Sequence, residues 1–385
     1  MKILHLLLDH NFVKGPRQRF EQYYPGQNIF VIHSTKPADT LSKYPDGFIV
    51  LDMNLPENQA KVVEICRREG VDKLLLHGLN RYQPTLVRDI KAQNSKLTVY
   101  WMFWGYDLYE TLSYEKGYRL IDDRFNPLRR DCLVKPYPIL RYVKRLMNRY
   151  RPDAYKQLMG MADYFCFWNK GDYDLLKDNF NLPIRYKFFA YSANMPGDKP
   201  QYMFDLKERT TTRIMVNHQA SLYGNHSTIF RRLNEIDPDN SLEKVVPLSY
   251  GIPAVRKRTI LEGRRYFADK FLPILDYMPR EQYFDMLQSI DVAIFGQRRQ
   301  EASGNIIHML KNGVKVFLRN DNNLLKYYRD KGYLIYSFED DLKDMESLKA
   351  LSLEQQKHNR ECYLANLIYY DDFMPQLFEE QTLKA

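Results

Sequence analysis

Residues Ile294–Leu318 read "IFGQRRQEASGNIIHMLKNGVKVFL". A buried apolar run ends at Phe295, and a polar loop with Arg298 and Arg299 follows. Ser303–Asn312 then has helical spacing, Gly313 closes the helix, and Val314–Leu318 is a second apolar run. Two buried strands joined through one helix form a parallel βαβ unit.

The same alternation extends in both directions. Apolar runs at Ile3–Leu8, Ile29–His33, Phe48–Leu51, Lys73–His77, Leu97–Phe103, Tyr164–Trp168 and Ile184–Phe189 predict strands. Amphipathic stretches such as Pro56–Glu69 and Tyr82–Gln93 lie between them. A second series comprises Arg213–Asn217, Lys244–Leu248, Lys270–Ile274, Val292–Phe295, Val314–Leu318 and Tyr333–Tyr336. The Pro- and Gly-rich stretch Ala190–Thr212 interrupts the rhythm, and Leu353–Tyr370 reads as one long closing helix. The expected division is residues 1–195, a linker 196–211, a second domain 212–352, and a closing helix and tail 353–385. Two Rossmann-like α/β halves across a cleft are the GT-B architecture, whose functional residues follow the carboxyl ends of strands.

Composition sets outer bounds. With 385 residues, two cores are the natural expectation. Net charge is +9, which points to an anionic partner. Cys66, Cys132, Cys166 and Cys362 are scattered and form no metal or disulfide pattern. No apolar run is long enough for a membrane span, and the opening "MKILHLLLDHNF" is too short for a secretory signal. The first strand is not followed by G-x-G-x-x-G, which argues against a dinucleotide cofactor.

The strand ends supply the candidate residues. In the first half, Asp9 and His10 follow the first strand, and His77 ends the fourth before Gly78. The fifth strand runs into "LTVYWMFWGYDLYE" (Leu97–Glu110), read either as an aromatic core strand or as the floor of a binding cleft. In the second reading Trp104 and Gly105 line an acceptor site, and Asp107 or His77 is the general base. The structural alternatives are a helix-capping Asp107 and a hydrogen-bonded His77.

In the second half, Asn217, His218 and Asn225 flank a polar loop that enters a helix, an arrangement suited to phosphate. Tyr250, Gly251 and Tyr277 follow the next two strands, near an expected nucleobase or ribose. Arg299 (or Arg298), Gln300, Ser303, Gly304 and Asn305 combine a cation with a helix N-terminus, fit for a diphosphate. The acid pairs Asp122–Asp123, Asp340–Asp341 and Asp371–Asp372, and the Asp237–Asp239 "DPD", read as solvated surface. No metal site is expected, since helix dipoles and arginines can replace an ion, and the histidines lack zinc spacing.

Arg124–Arg151 holds nine basic residues and one acid. Within it Arg141, Lys144, Arg145 and Arg149 lie on a helix-patterned stretch with a broad apolar side. This suits an anionic bilayer, or a helix packed on the domain with its basic face outward.

With those motifs in hand, the chain resembles glycosyltransferase family 56, the TDP-N-acetylfucosamine:lipid II N-acetylfucosaminyltransferases. The resemblance is carried by the His77–Pro84 segment, "WGYDLYE" at Trp104–Glu110, "VPLSYG" at Val246–Gly251, and Arg299, Gln300 and Gly304. It implies a peripheral enzyme on the cytoplasmic face of the bacterial inner membrane. Such an enzyme moves an acetamido-deoxyhexose from a TDP-sugar to a polyprenyl-pyrophosphate-linked glycan, as in enterobacterial common antigen or another surface polysaccharide. A nucleotide-sugar 2-epimerase of the same architecture is the alternative. A nucleic-acid binder would explain only the charge, and no nucleic-acid partner is expected.

Overall fold

The computed structural model describes residues 1–9, 13–44, 47–122 and 154–379. Among the described residues, one compact unit takes 1–117, 154–197 and 368–379, and the other takes 118–122 and 198–367.

The first unit carries β1 (Ile3–Leu8), β2 (Asn28–His33), β3 (Phe48–Leu51), β4 (Lys73–His77), β5 (Thr98–Met102), β6 (Tyr164–Cys166) and β7 (Arg185–Lys187). Its helices are α1 (Lys14–Tyr23), α2 (Pro37–Lys43), α3 (Pro56–Glu69), α4 (Gln83–Gln93), α5 (Tyr106–Glu115), α6 (Ala154–Met161) and α7 (Lys170–Asn179). The strands pair in parallel in the order β3-β2-β1-β4-β5-β6-β7. Helices cover both faces of such a sheet, so a central strand such as β4 (KLLLH) is a continuous buried run, not an alternating one. The helix ends follow local chemistry. α3 has Pro56 in its first turn, Arg67 and Arg68 in its last, and Gly70 at φ 66° beyond it.

The second unit carries β8 (Arg213–Val216), β9 (Glu243–Pro247), β10 (Phe271–Ile274), β11 (Val292–Ile294), β12 (Lys315–Leu318) and β13 (Tyr336–Ser337). Its helices are α8 (His226–Ile236), α9 (Pro253–Phe267), α10 (Arg280–Leu287), α11 (Ser303–Lys311), α12 (Asn323–Asp330) and α13 (Leu353–Ala365). The strands are again parallel, in the order β10-β9-β8-β11-β12-β13. Both units are therefore Rossmann-like. Strand order reverses between β1 and β4 in one sheet and between β8 and β11 in the other. These switch points are where doubly wound sheets open to ligands.

Three expectations need correction. The last strand starts at Tyr336, not Tyr333, because the preceding peptide groups are engaged elsewhere. Tyr333 N–H bonds Tyr328 O at the end of α12, and Leu334 N–H bonds Asn359 Oδ1. The closing helix stops at Ala365, because the chain near Tyr369 pairs with Asn194 through Asn194 N–H to Ile368 O and Tyr370 N–H to Asn194 O.

Of the acids read as solvated surface, Asp237 is buried and Asp122 is half-buried. Asp237 meets Lys244 Nζ at 2.6 Å and accepts from Ser241 and Leu242 N–H. Asp122 takes Arg298 Nε at 2.6 Å and the Arg319 fork at 2.6 and 3.2 Å. Burial pushes the Asp122 carboxyl up, but the two arginines outweigh it and hold it at about 2.

Candidate functional site

At the first switch point, β1 supplies His5 and β4 supplies His77, both fully buried. Asn28 Nδ2 donates to Phe20 O and Tyr24 O, which leaves its Oδ1 to accept from His5 Nε2 at 3.1 Å. His5 Nδ1 meets His77 Nε2 at 3.0 Å, and His77 Nδ1 meets the Tyr191 hydroxyl at 2.8 Å. Burial lowers both imidazoles far below the ordinary range, His5 to about 3, so both are neutral. The chain then has one proton order: Tyr191 donates to His77, His77 to His5, and His5 to Asn28. Trp104 is half-buried and hydrogen-bonds Tyr191. Both nitrogens of His77 are engaged, so it has no lone pair for a substrate, and the structural reading of His77 holds.

Asp107 is also fully buried. Its Oδ2 accepts from Leu79 N–H at 3.0 Å and from Trp101 Nε1 at 2.8 Å, and its Oδ1 from Leu108 N–H at 3.0 Å. Burial raises its carboxyl to about 6 despite these donors. It clasps the β4 loop, β5 and the first turn of α5, and its side chain is closed off from solvent. Gly105, at φ 102°, makes the turn into that helix. Trp101 and Phe103 belong to the core, packed edge-on to Phe165 or tilted against it. The aromatic stretch is thus a core strand up to Phe103. Asp9 binds Lys43 at 3.1 Å and Thr40 at 2.9 Å, tying β1 to α2. His10, Arg141, Lys144, Arg145 and Arg149 lie outside the described residues.

The second switch point is built differently. After β8, Asn217 at φ 58° bonds Gly224 O and receives Gly296 N–H, locking the β8 loop to the end of β11. Asn225, at φ 49°, donates to Leu120 O, Tyr223 O and Gly296 O and accepts from Asp122 N–H. Asn tolerates this left-handed backbone better than most residues. Both asparagines therefore shape the loop, and their side chains are spent.

Other polar groups of the loops after β8 and β11 are not. His218 Nδ1, His226 Nε2, both amide atoms of Gln297 and Arg299 Nη1 are buried without a hydrogen-bond partner. His218 Nε2 lies 3.8 Å from Glu301 Oε1, and Gln219 Nε2 lies 2.6 Å from that oxygen. Arg299 Nε binds Glu301 Oε2 at 3.0 Å, and its guanidinium sits 4.2 Å from the Tyr223 ring centroid. Burial holds both histidines neutral, His226 at about 3. Arg298 is consumed by Asp122 and by Asp321 at 2.5 Å, so Arg299 is the arginine with donors to spare.

Beside this cluster α11 begins. Ala302, at φ 64°, turns the chain into it, and no side chain caps it. The N–H groups of its first turn have no partner within the helix and carry partial positive charge. A Cβ built on Gly304 meets nothing within 4 Å, so the approach is open. Asn305 accepts from Tyr283 at 3.0 Å, while Gln300 and Ser303 are half-buried. Tyr250 and Tyr277 are 52% and 84% exposed at the ends of β9 and β10. Gly251 has a packing role, since a Cβ there would lie 2.4 Å from Ala220 O.

Sequence reasoning missed His5, Tyr191, Gln219, His226, Gln297 and Glu301 as members of these clusters. Glu301 stands inside the quoted loop, but a carboxylate beside a phosphate-type loop reads as a misfit until Arg299 and Gln219 are seen on it. A hollow of about 490 Å³ at the opposite, amino edge of the second sheet is lined by Arg213, Glu243 and Lys270. Arg213 and Glu243 pair with each other at 2.6 Å, and that edge is not where doubly wound sheets hold ligands. Among the described residues no cluster of three or more His, Cys, Asp or Glu side chains could hold a metal ion. No helix among them is long and apolar enough to cross a membrane.

No family model and no curated sequence matches the chain. Solved structures do. A sucrose-phosphate synthase from Thermosynechococcus elongatus superimposes with a TM-score of 0.61 at 12% identity, over 97% of this chain and 96% of that one. Anabaena HepE in complex with UDP-glucose gives 0.56 at 11%, over 97% of each chain. A glycosyltransferase from Rickettsia africae gives 0.57 at 10%, over 95% and 94%. The likeness spans both units, and the chain has the GT-B fold.

Proposed function

We propose that the protein is a glycosyltransferase that binds a nucleotide-diphosphate sugar at the β8/β11 switch point. The observation that carries this is Arg299 Nη1 and His218 Nδ1, buried without partners around the loop that leads into the uncapped, open N-terminus of α11, with further such atoms on His226 and Gln297. A buried polar group without a partner costs about 1–3 kcal/mol, so several in one place mark a site completed by a ligand. A diphosphate fits: it is anionic, it accepts only, and it would meet Arg299 Nη1 and the α11 N–H groups. These donors would stabilise the charge that develops as the sugar leaves, without a metal ion. Tyr250 and Tyr277 offer exposed rings to a nucleobase. Neighbours in fold include a protein solved with UDP-glucose, which supports a nucleotide-sugar as the ligand class.

The donor in this reading is a TDP-activated acetamido-deoxyhexose such as N-acetylfucosamine, as the resemblance to family 56 implies. The acceptor is a polyprenyl-pyrophosphate-linked glycan of a bacterial surface polysaccharide, met on the cytoplasmic face of the inner membrane. The basic stretch at Arg141–Arg149 would contact the lipid surface.

The test is a thermal-shift panel of TDP-, UDP- and GDP-sugars, repeated on Arg299→Ala. A donor should raise Tm in proportion to the logarithm of its concentration, and the variant should lose the shift. No shift with any nucleotide-sugar rejects the proposal. Product analysis without acceptor separates transfer from 2-epimerisation.

A further inference from the structure

We infer that the outward face of α9 is a docking surface for an anionic lipid bilayer. α9 buries Val255, Thr259, Gly263 and Phe267, an i, i+4 series that fixes its inner side. The opposite stripe exposes Lys257, Leu261, Arg264 and Arg265. Leu261 is 54% exposed, and Ile252, the residue that leads into the helix, is 44% exposed. Leu222 extends the apolar part at 39% exposure. It lies two residues from Ala220, whose carbonyl receives Ile252 N–H at 2.8 Å.

The three cations have no carboxylate partner among the described residues. The nearby acid Glu262 is turned aside onto Arg258 at 3.0 Å and onto Ser227, and Asp269 is exposed just past the helix end. Aliphatic side chains interleaved with unpaired cations along one helix stripe match a membrane interface, where the chains enter the acyl boundary and the cations meet lipid phosphates. A nucleic-acid face would gain from the cations but nothing from Leu261 and Ile252. The stripe starts at the carboxyl edge of β9, the edge that also holds the β8/β11 cluster, so a bilayer here would keep a lipid-linked substrate near that edge. The surface does not depend on the donor assignment and is separate from the Arg141–Arg149 stretch.

The full chain should be sedimented with vesicles of phosphatidylcholine alone and of phosphatidylcholine and phosphatidylglycerol in equal parts. The expectation is binding to the anionic vesicles only. Lys257→Glu/Arg264→Glu/Arg265→Glu should lower the partition coefficient about a hundredfold, at roughly fivefold per cation removed. Ile252→Ser/Leu261→Ser should remove the binding that persists at high salt. All substituted residues are on the surface, and an unchanged melting temperature checks the fold. Arg141→Glu/Arg145→Glu/Arg149→Glu should leave the α9 contribution in place. The inference is overturned if the α9 charge reversal binds like the wild type, or if binding ignores lipid charge. It is also overturned if these cations instead govern oligonucleotide binding with no vesicle partition. The nucleotide-sugar thermal shift is read in solution, so failure there and failure here are distinguishable.

Discussion

The two sheets reverse strand order in the same way, yet their switch points differ in how polar groups are satisfied. At β1/β4 the imidazoles of His5 and His77, an amide, a phenol and the Asp107 carboxylate use one another or the backbone. At β8/β11 two imidazoles, a carboxamide and a guanidinium keep buried atoms without partners. The first unit does hold buried amide nitrogens without partners, Asn80 Nδ2 and Asn169 Nδ2, but they lie apart from the His5–His77–Tyr191 chain of hydrogen bonds. Low local polarity strengthens a completed network and penalises an incomplete one. The first switch point therefore contributes to folding, and the second keeps polar atoms that folding does not satisfy. Backbone strain follows the same division: of six non-glycine residues with positive φ among those described, Asn217, Asn225 and Ala302 surround the second switch point.

The largest effect should come from Arg299→Ala, assayed for sugar transfer with folding verified. Loss of a preorganised donor to the leaving group should cut kcat about 100-fold or more. Near wild-type turnover would erase the contrast between the two edges. Asp107→Asn tests the other side. The amide oxygen can keep Leu79 and Trp101, but the new NH2 then faces the Leu108 N–H, and the change should cost about 1–3 kcal/mol in chemical denaturation with transfer per folded molecule unchanged. A large loss of kcat in fully folded Asp107→Asn would restore a catalytic role to the first edge.

A smaller, sharper test uses pH. His5 is held neutral at about 3 in the folded chain, while the unfolded chain takes up a proton below about 6.5. Its contribution is present above pH 6.5 and is lost as pH falls toward 3. Asp107 runs the other way. Its folded value near 6 lies above its unfolded value, so its contribution is full below about pH 4 and lost as pH rises through 6. Between about pH 4 and 6 the slopes oppose, and Asp107→Asn should steepen the acid-side loss seen in denaturant melts. The smallest effect belongs to Ala302→Gly, which relieves a left-handed alanine and should raise stability by about 0.5–1 kcal/mol in thermal melts. An unchanged donor affinity would show that Ala302 aims α11 without touching the ligand.

The central strands among the described residues were legible because burial on both faces leaves an unmistakable apolar run, as in β4 and β12. Parallel pairing followed from the helices between them. The loop at Arg299–Asn305 was legible too, since an arginine before a glycine-containing helix start is a local pattern. Asp107 was ambiguous for a physical reason. A carboxylate two residues past a strand-end glycine looks the same whether it faces solvent or turns inward onto Trp101 and Leu79. Asp122 and Asp237 misled in the same way, because their partners Arg319 and Lys244 are 197 and 7 residues away.

The sequence by itself determined the repeated strand–helix alternation, the two-domain α/β plan and the places where strands end, since these depend on periodicities within one segment. Only the tertiary structure decided which strand-end side chains are spent on one another and which are left over. Hydrogen-bond satisfaction is settled between segments far apart in the chain, and local pattern carries no record of it.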